Sequence, residues 1–362
     1  MKKISFLIVL SLFCVSLFST SYKGIDFEDW KLILENGTFK EQKLALEAFG
    51  NMGDIQAEEM LLEFLKSDDY ELRNTAIWSL GQLGSTKAAE PICWLIGKSD
   101  DVRIDGALIN IGSASVKWLN LKLKLAGMCD DIDVGMRIAR ILVDIQDPSG
   151  MVEVSTFLTK LLSSEIHKSV AMDMLMQIGE KAIEPLSLAL KMTYDNNLKI
   201  GIINTLATIG DPRALDTLYE YYADSDPNIR SNVANALGKI RDTRNSDFLI
   251  AMMRDTDDNV RMQAIVSLGT LKDSAAVIYL LSTLNDENPI IRAVSAYALG
   301  QIKDVRAVYP LINMLDDTTM LKIINPVSGR SEESYVASFA VEALKKVKDP
   351  RGLEELERRG IK

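Results

Sequence analysis

Few residues of this chain have the chemistry and the spacing of a catalytic site. Its 362 residues include one histidine, His167. Metal sites built on imidazole need several histidines, and a Ser-His-Asp or Cys-His nucleophile needs a histidine base. A multi-histidine metal site is therefore excluded within one chain. We expect His167 to be an ordinary residue at the start of a helix, and we assign no catalytic residue.

Two carboxylate-rich turns resemble the opening of a calcium-binding loop. Residues 224–228 read DSDPN and residues 255–259 read DTDDN. Both have the Asp-x-Asp-x-Asn spacing, but neither has the later glycine and glutamate that complete an EF-hand. We therefore expect these carboxylates to cap helices and to pair with arginines. No metal ion and no other cofactor is expected.

The charge balance argues against nucleic acid as a partner. The chain has 41 Lys and Arg against 51 Asp and Glu, which gives a net charge of -10 and a pI near 4.9. No basic stripe offsets this charge, and phosphate backbones bind to basic surfaces. The hydrophobic fraction of 47% is ordinary for a well-packed folded protein.

One pattern recurs at a fixed interval between Asp224 and Asp317. Successive copies place an arginine and then a Leu-Gly pair 31 residues apart, at Arg230, Arg261 and Arg292 and at Gly238, Gly269 and Gly300. Each copy contains two helical patterns separated by turns. A period of this length predicts an all-α solenoid in which each copy stacks on the next.

The copy at residues 255–284 shows what each part contributes. Val260, Ala264 and Leu268 form one apolar stripe of a first helix, and residues 275–284 form a second helix with a wider apolar face. The Gly of the Leu-Gly pair is expected to let neighbouring helices approach closely. The arginine is expected to reach a turn carboxylate of its own or the adjacent copy, worth about 0–1 kcal/mol when exposed.

The amino terminus has the layout of a secretory signal peptide. Lys2 and Lys3 precede an apolar run from residue 4 to 18, and three small residues follow. The run is shorter than the ~20 residues of a membrane span. We expect residues 1–21 to be removed and no integral membrane span to remain. An uncleaved anchor, or a lipid anchor at Cys14, is the alternative.

Export to an oxidising compartment permits a disulfide between the two remaining cysteines, Cys93 and Cys129. Cys93 lies within a helical pattern, however, and Cys129 lies near a turn of the following repeat. We expect two free, mostly buried thiols and leave their oxidation state open.

These repeats resemble the HEAT-repeat family, specifically its bacterial subgroup of PBS-lyase-like HEAT repeats. The resemblance rests on the Asp…(Val/Ile)-Arg-x-x-Ala-x-x-Leu-Gly-x-(Ile/Leu) runs and on Gly-Asp-Pro-Arg-Ala at residues 210–214. It implies a right-handed superhelix of about ten HEAT-like helical hairpins. The family also contains iron-dependent hydroxylases, bilin lyases and DNA glycosylases, so the fold alone does not give the function.

The resemblance covers nearly all of residues 22–362, which we expect to form one continuous solenoid. Residues 22–53 are expected to be its amino-terminal cap, with a helix stop at Asn36-Gly37 and a capping box between Thr38 and Glu41. The less regular copies at 100–199 predict local changes of curvature. An irregular loop insertion is expected at 318–334, and a polar carboxy-terminal cap at 349–362.

The candidate binding surface lies on the Arg-bearing helices, which in HEAT arrays are the second of each pair and commonly line the concave groove. Trp78 is in register with Asn235, Val266 and Tyr297. Trp78 and Tyr297 either anchor a partner or pack against neighbouring repeats. The residues that we assign to partner binding are Trp78, Gln82, Asn235, Tyr297, Gln301 and, in the loop, Arg330.

The sequence thus favours a non-catalytic scaffold, exported to the periplasm or surface of a bacterium, that binds a protein or peptide along its concave side. A lyase-type enzyme or enzyme subunit of the PBS-lyase-like group is a second hypothesis. A membrane-tethered assembly factor is a third, and it differs only in whether residues 4–18 stay attached. The partner and the oligomeric state are left open.

Overall fold

The computed structural model describes residues 21–324 and 331–361 of the chain. The predicted signal peptide, apart from Ser21, lies outside these residues. The fold is an α-solenoid built from two alternating sets of helices. We call the helices that carry the Leu-Gly pairs, and their equivalents in other copies, the B helices, and the helices between them the A helices.

The A helices have odd numbers in chain order. They are α1 Phe27–Asn36, α3 Glu58–Phe64, α5 Ala89–Cys93, α7 Ser113–Met128, α9 Pro148–Lys160, α11 Ile183–Met192, α13 Leu215–Tyr219, α15 Asn245–Met252, α17 Val277–Thr283, α19 Val308–Asn313 and α21 Pro350–Arg358. The B helices have even numbers. They are α2 Phe39–Met52, α4 Tyr70–Gln82, α6 Val102–Ile111, α8 Ile132–Ile145, α10 Lys168–Ile178, α12 Asn196–Ile209, α14 Pro227–Lys239, α16 Asp258–Leu271, α18 Pro289–Ile302 and α20 Val336–Val347.

The described residues also contain short 3-10 helices and two short strand pairs. Strands β1 Ser21–Tyr22 and β2 Ile25–Asp26 pair antiparallel before α1. Strands β3 Met320–Ile324 and β4 Ser331–Tyr335 pair antiparallel between α19 and α20.

Helix starts follow the capping residues that the sequence predicts. The side chain of Asp226 accepts a hydrogen bond from the amide of Asn228, and that of Asp257 accepts from the amides of Asn259 and Val260. The capping box of Thr38 and Glu41 is present at the start of α2. These contacts satisfy amides that the helix itself leaves unpaired, so the capping predictions are confirmed.

Consecutive B helices approach closely at the Leu-Gly pairs. A Cβ atom added at Gly269 would lie 2.8 Å from Cα of Ala298, and one added at Gly300 would lie 2.7 Å from Cα of Ala343. In the first copies, one added at Gly81 would lie 2.5 Å from Cα of Ala107. Any side chain there would overlap the next helix backbone, which confirms the predicted role of the glycines.

The repeated arginines hold each copy to itself and to the next copy. Nη1 of Arg230 donates to the carbonyl of Asp224 at 2.8 Å, and its Nε donates to Oδ2 of Asp255 at 2.7 Å. Arg292 makes the equivalent contacts to the carbonyl of Asp286 and to Asp317 at 2.9 and 2.7 Å. At these two arginines the predicted contact therefore uses the adjacent copy's carboxylate and the same copy's carbonyl. Arg261 also donates to its own copy's carbonyl, but it pairs with Asp258 of its own copy and lies 3.9 Å from Asp286 of the next.

The arginine contacts change in the first copies of the chain. Arg73 still donates to the carbonyl of Ser67 at 2.6 Å, but position 98, where the next carboxylate would stand, is a lysine. Arg137 turns back instead and donates to the carbonyl of Ser99 at 2.6 Å and to Oδ1 of Asp105 at 2.8 Å. The altered turns thus keep an arginine contact with different partners.

The internal contacts of the chain group it into two compact units, the first ending at Leu158 and the second beginning at Thr159. The sequence predicts a single continuous array, and that stays a prediction. Each unit stacks its B helices in chain order.

The segment expected to be an irregular loop at 318–334 contains regular structure. Met320 pairs with Tyr335 and Leu321 with Ser334 across β3 and β4, and Leu321 is buried. The sequence run MLKII favours a strand because of its apolar and β-branched residues. Residues 325–330, between the strands, lie outside the described part of the chain.

Cys93 and Cys129 are free, but they differ in environment. Cys93 is buried, whereas Cys129 is exposed directly after α7. The expectation of two mostly buried thiols is therefore wrong for Cys129, which lies at a helix end rather than on an apolar face. Within the described residues, no helix is long and apolar enough to cross a membrane.

Candidate functional site

The B helices present a common surface, which we call the B face. It consists of the residues six before, three before and one after the glycine position of each copy. These positions share one side of a helix because they are three or four residues apart. Trp78, Asn235 and Tyr297 hold the middle position of α4, α14 and α18.

In the first unit, Trp78 forms one wall of a pocket of about 350 Å³. The indole is half-buried, whereas the neighbouring residues Ile77 and Ser79 are buried. The pocket spans three consecutive B helices, and its other lining residues are Lys43, Glu47, Asn51, Thr75 and Arg103. Trp78 is therefore partly packed in the array and also lines the pocket, and its role as an anchor for a partner stays a prediction.

The two cations of this pocket, Lys43 and Arg103, pair with carboxylates that do not line it. Glu71 accepts a hydrogen bond from Nζ of Lys43 at 2.8 Å and lies 3.6 Å from Nη2 of Arg103. The hydrogen bond from Lys43 and the charge of Lys43, with a smaller effect of the charge of Arg103, lower the pKa of Glu71. Both cations already have an anionic partner, which offsets their charge. They therefore serve mainly as fixed hydrogen-bond donors in the pocket.

Asp101 fixes the guanidinium of Arg103. Nη2 of Arg103 donates to Oδ2 at 2.8 Å and its Nε donates to Oδ1 at 3.0 Å. The hydroxyl of Tyr70 and the amide of Asn74 also donate to Oδ2, each at 2.8 Å. The hydrogen bonds from Arg103 hold the pKa of Asp101 well below its usual range, and burial opposes them only in part.

This pocket combines an aromatic face with polar groups. It offers an indole face, an amide at Asn51, a carboxylate at Glu47 and donors at Lys43 and Arg103. The pKa of Glu71, which pairs with Lys43 beside the pocket, is lowered rather than raised, and the ion pair explains this shift. An amphipathic group that stacks on the ring while its polar end reaches these residues would fit.

In the second unit, Tyr297 projects from α18 and is exposed. Nζ of Lys346, from α20, lies 4.7 Å from the centre of its ring. Gln301 is one helical turn further along and half-buried. Asn235, also half-buried, accepts a hydrogen bond at 3.4 Å from Nε2 of Gln263 on α16. Adjacent B helices thus bring their B-face side chains into contact.

The other residues assigned to partner binding lie in different places. Gln82 is exposed at the end of α4, outside the lining of the Trp78 pocket. Arg330 lies outside the described residues. Trp78 and Gln82 belong to the first unit, whereas Asn235, Tyr297 and Gln301 belong to the second.

Sequence reasoning missed the part of the pocket contributed by α2 and α6. The signal was present, because Phe49-Gly50 occupies the place of the Leu-Gly pair and puts Glu47 in register with Trp78. Arg103 was harder to place, because α6 has no Leu-Gly pair: Ala107 takes the position that Ser79 takes in α4.

The two Asp-x-Asp-x-Asn runs cap helices and pair with arginine, as the sequence predicts. Asp226 and Asp257 cap helices, and Asp255 pairs with Arg230. Two further cavities, of about 540 and 470 Å³, lie along these arginine contacts and are lined by Arg292 with Asp317 and by Arg230 with Asp255. Among the residues that the structure describes, no group of three metal-ligating side chains is found.

Comparison with known proteins identifies the repeats. A family model described as HEAT repeats matches residues 28–112, 183–269 and 246–321. No curated protein matches the sequence.

Among solved structures, the karyopherin Kap121p bound to Nup53p aligns with 94% of this chain and 43% of its own, at a TM-score of 0.57 and 10% identity. Kap121p bound to the extreme C-terminus of the protein phosphatase Cdc14p aligns with 94% of this chain and 44% of its own, at 0.56 and 10%. The chain thus spans less than half the length of Kap121p. An engineered protein covers 89% of this chain and 98% of its own, at 19% identity and a TM-score of 0.35.

Proposed function

Because the chain belongs to the HEAT-repeat family, we propose that it is a non-catalytic scaffold that binds a protein or peptide along its B face. The observation that carries this proposal is the Trp78 pocket, where an indole and fixed polar groups converge from three B helices. Large, rigid aromatic groups in such a setting are typical anchors of protein interfaces.

The chemistry of the B face supports binding over catalysis. Its two cations in the first unit, Lys43 and Arg103, are held by ion pairs, so they lose less side-chain entropy on binding than free cations would. The acidic turns and the net charge of -10 disfavour anionic partners. The solved complexes of Kap121p, which has the same kind of fold, contain protein ligands.

We also propose that the protein is exported to the periplasm or the surface of a bacterium. The support is the run of Lys2, Lys3 and apolar residues 4–18 followed by small residues. Amino-terminal sequencing of the protein from cells is expected to find a chain that starts after residue 21. An intact Met1 in the membrane fraction would favour a tethered assembly factor instead.

The binding proposal is tested by affinity capture from an envelope extract with residues 22–362 as bait. We compare the wild type with a Trp78→Ala/Tyr297→Ala variant and with a matched Tyr194→Ala/Tyr279→Ala control, whose rings are exposed but lie off the B face. Circular dichroism first establishes that all three are folded.

A protein retained by the wild type and the control but lost by the B-face variant is the expected result. Equal retention by all three would contradict the assignment of the B face. Retention of nothing, together with turnover of a substrate by the wild type, would favour an enzyme of the lyase type.

A further inference from the structure

The B face of the second unit carries a row of side-chain amides. We call Asn204, Asn232, Asn235, Gln263 and Gln301 the amide row; they lie on α12, α14, α16 and α18. Each of these four successive B helices contributes at least one amide, and all five side chains are half-buried. The row therefore extends over four successive B helices.

The amides of the row retain hydrogen-bonding capacity. A primary amide offers two N–H donors and a carbonyl oxygen with two lone pairs. Within the row, Gln263 donates to Asn235 over a long 3.4 Å, and Nδ2 of Asn232 donates to the carbonyl of Asn228 at 2.8 Å. These bonds leave Nδ2 of Asn235 and the carbonyl oxygens of Asn232 and Gln263 available to a ligand.

The row is almost free of charge, unlike the edges of the same helices. Val266 and Tyr297 hold the middle position of α16 and α18. The charged neighbours are Lys239, on the B face of α14, and Lys346, whose Nζ lies 4.7 Å from the centre of the Tyr297 ring. Acidic caps such as Asp226 and Asp257 stand at the amino-terminal ends of the helices. A surface of amides and apolar groups matches a neutral ligand that presents both N–H and C=O groups, which is the chemistry of a peptide main chain.

The main chain of such a ligand must be extended. A helical ligand satisfies its own backbone groups, whereas an extended or polyproline II segment leaves them free. Neighbouring packed helices lie about 8–10 Å apart and extended chains rise about 3.1–3.4 Å per residue, so one repeat matches about three ligand residues. Crossing from α12 to α18 then takes about ten residues.

We propose that the amide row binds an extended, uncharged segment of about ten residues through its main chain, with Val266 and Tyr297 packing against its side chains. This inference rests on the proposed scaffold function and names the kind of partner segment for the second unit. Its specificity comes from backbone hydrogen bonds and length rather than from charge.

The test uses a phage-displayed library of linear twelve-residue peptides panned against residues 22–362. The selected peptide is synthesised with a fluorescent label, and its affinity is measured by fluorescence anisotropy. Three proteins are compared: the wild type, an Asn204→Ala/Asn235→Ala variant, and an Asn313→Ala control that removes an exposed amide of the A helix α19. Thermal melts establish that the variants fold.

The row variant is expected to bind about tenfold more weakly or worse, because each lost hydrogen bond contributes modestly. The Asn313→Ala control is expected to match the wild type. Shortening the peptide to six residues is expected to weaken binding similarly, and raising the salt concentration to change it little.

Equal binding by the wild type and the row variant would overturn the inference while leaving the scaffold function in place. A second outcome would also overturn the inference. In it, the library yields no peptide, although the wild type captures a folded protein that the Trp78→Ala/Tyr297→Ala variant loses. A library that yields no peptide, together with no protein captured from the extract, would instead contradict the scaffold function and with it the inference that rests on it.

Discussion

At the scale of single residues, the first unit is organised around Asp101. It caps α6, fixes Arg103 and accepts from Tyr70 and Asn74 of α4, so one carboxylate joins two B helices beside the Trp78 pocket. Charge-assisted hydrogen bonds of this kind are stronger than neutral ones. The precision of the pocket therefore depends on a residue that does not line it.

Replacing Asp101 with asparagine is expected to lower the free energy of unfolding of the first unit by about 2 kcal/mol at pH 7. The folded pKa of Asp101 is lowered, so its stabilisation is full above its unfolded pKa of about 3.9 and is lost as pH falls below it. The difference between wild type and variant should therefore shrink between pH 5 and pH 2.5.

Urea unfolding followed by tryptophan fluorescence measures this, because Trp30, Trp78, Trp94 and Trp118 all belong to the first unit. Asp100→Asn is the matched control: its side chain is fully exposed, and we expect a change within about 0.5 kcal/mol. A stability difference for Asp101→Asn that does not vary with pH would contradict the account.

The two cysteines are expected to differ sharply in reactivity. Burial raises the pKa of Cys93 to about 11, so at pH 8 little of its thiol is ionised, and the residue is also shielded from reagents. In the chain of residues 22–362, a thiol-disulfide reagent at pH 8 should label Cys129 quickly and Cys93 only after unfolding. Rapid labelling of a folded Cys129→Ser variant would show that Cys93 is accessible.

At the scale of helices, the close approach of B helices is what aligns side chains from successive copies into one face. The glycines make that approach possible and the arginine contacts set its register. Both devices recur with the period of the repeat, because each copy must present the same surface to two neighbours.

Two glycines of the first unit give a matched test of this packing. Gly81→Ala places a Cβ atom 2.5 Å from Cα of Ala107, so we expect a loss of about 1–3 kcal/mol. Gly106→Ala meets nothing within 4 Å and should stabilise α6 by about 0.5–1 kcal/mol. Urea unfolding followed by tryptophan fluorescence compares them. Equal effects of the two substitutions would show that the close approach does not matter.

Much of the helix arrangement could be predicted from the sequence. The 31-residue period, the helix caps and the arginine contacts are local or strictly periodic signals, and the structure confirms them. Strands β3 and β4 were harder to predict, because a short strand pair depends on a partner several residues away. The pocket at Trp78 needed the register of α2 and α6, whose copies depart from the consensus.

At the scale of the whole molecule, the family supplies a fold and not a function. The chain belongs to the HEAT-repeat family, and its similarity to Kap121p at 10% identity concerns the fold. What distinguishes this chain is what its own B face carries, which is Trp78 above a polar pocket in the first unit and an amide row with Tyr297 in the second. The central claim is therefore that the partner contacts the B face.

Site-specific photo-crosslinking in cells tests that claim most directly. A benzoylphenylalanine replaces Trp78 or Tyr297 on the B helices, or Tyr279 on the A helix α17, whose ring is also exposed. Irradiation links the protein to whatever lies within reach of the introduced group. The account predicts the same adduct from positions 78 and 297 and none from 279. An adduct from position 279 alone would contradict it and place the binding surface on the A helices.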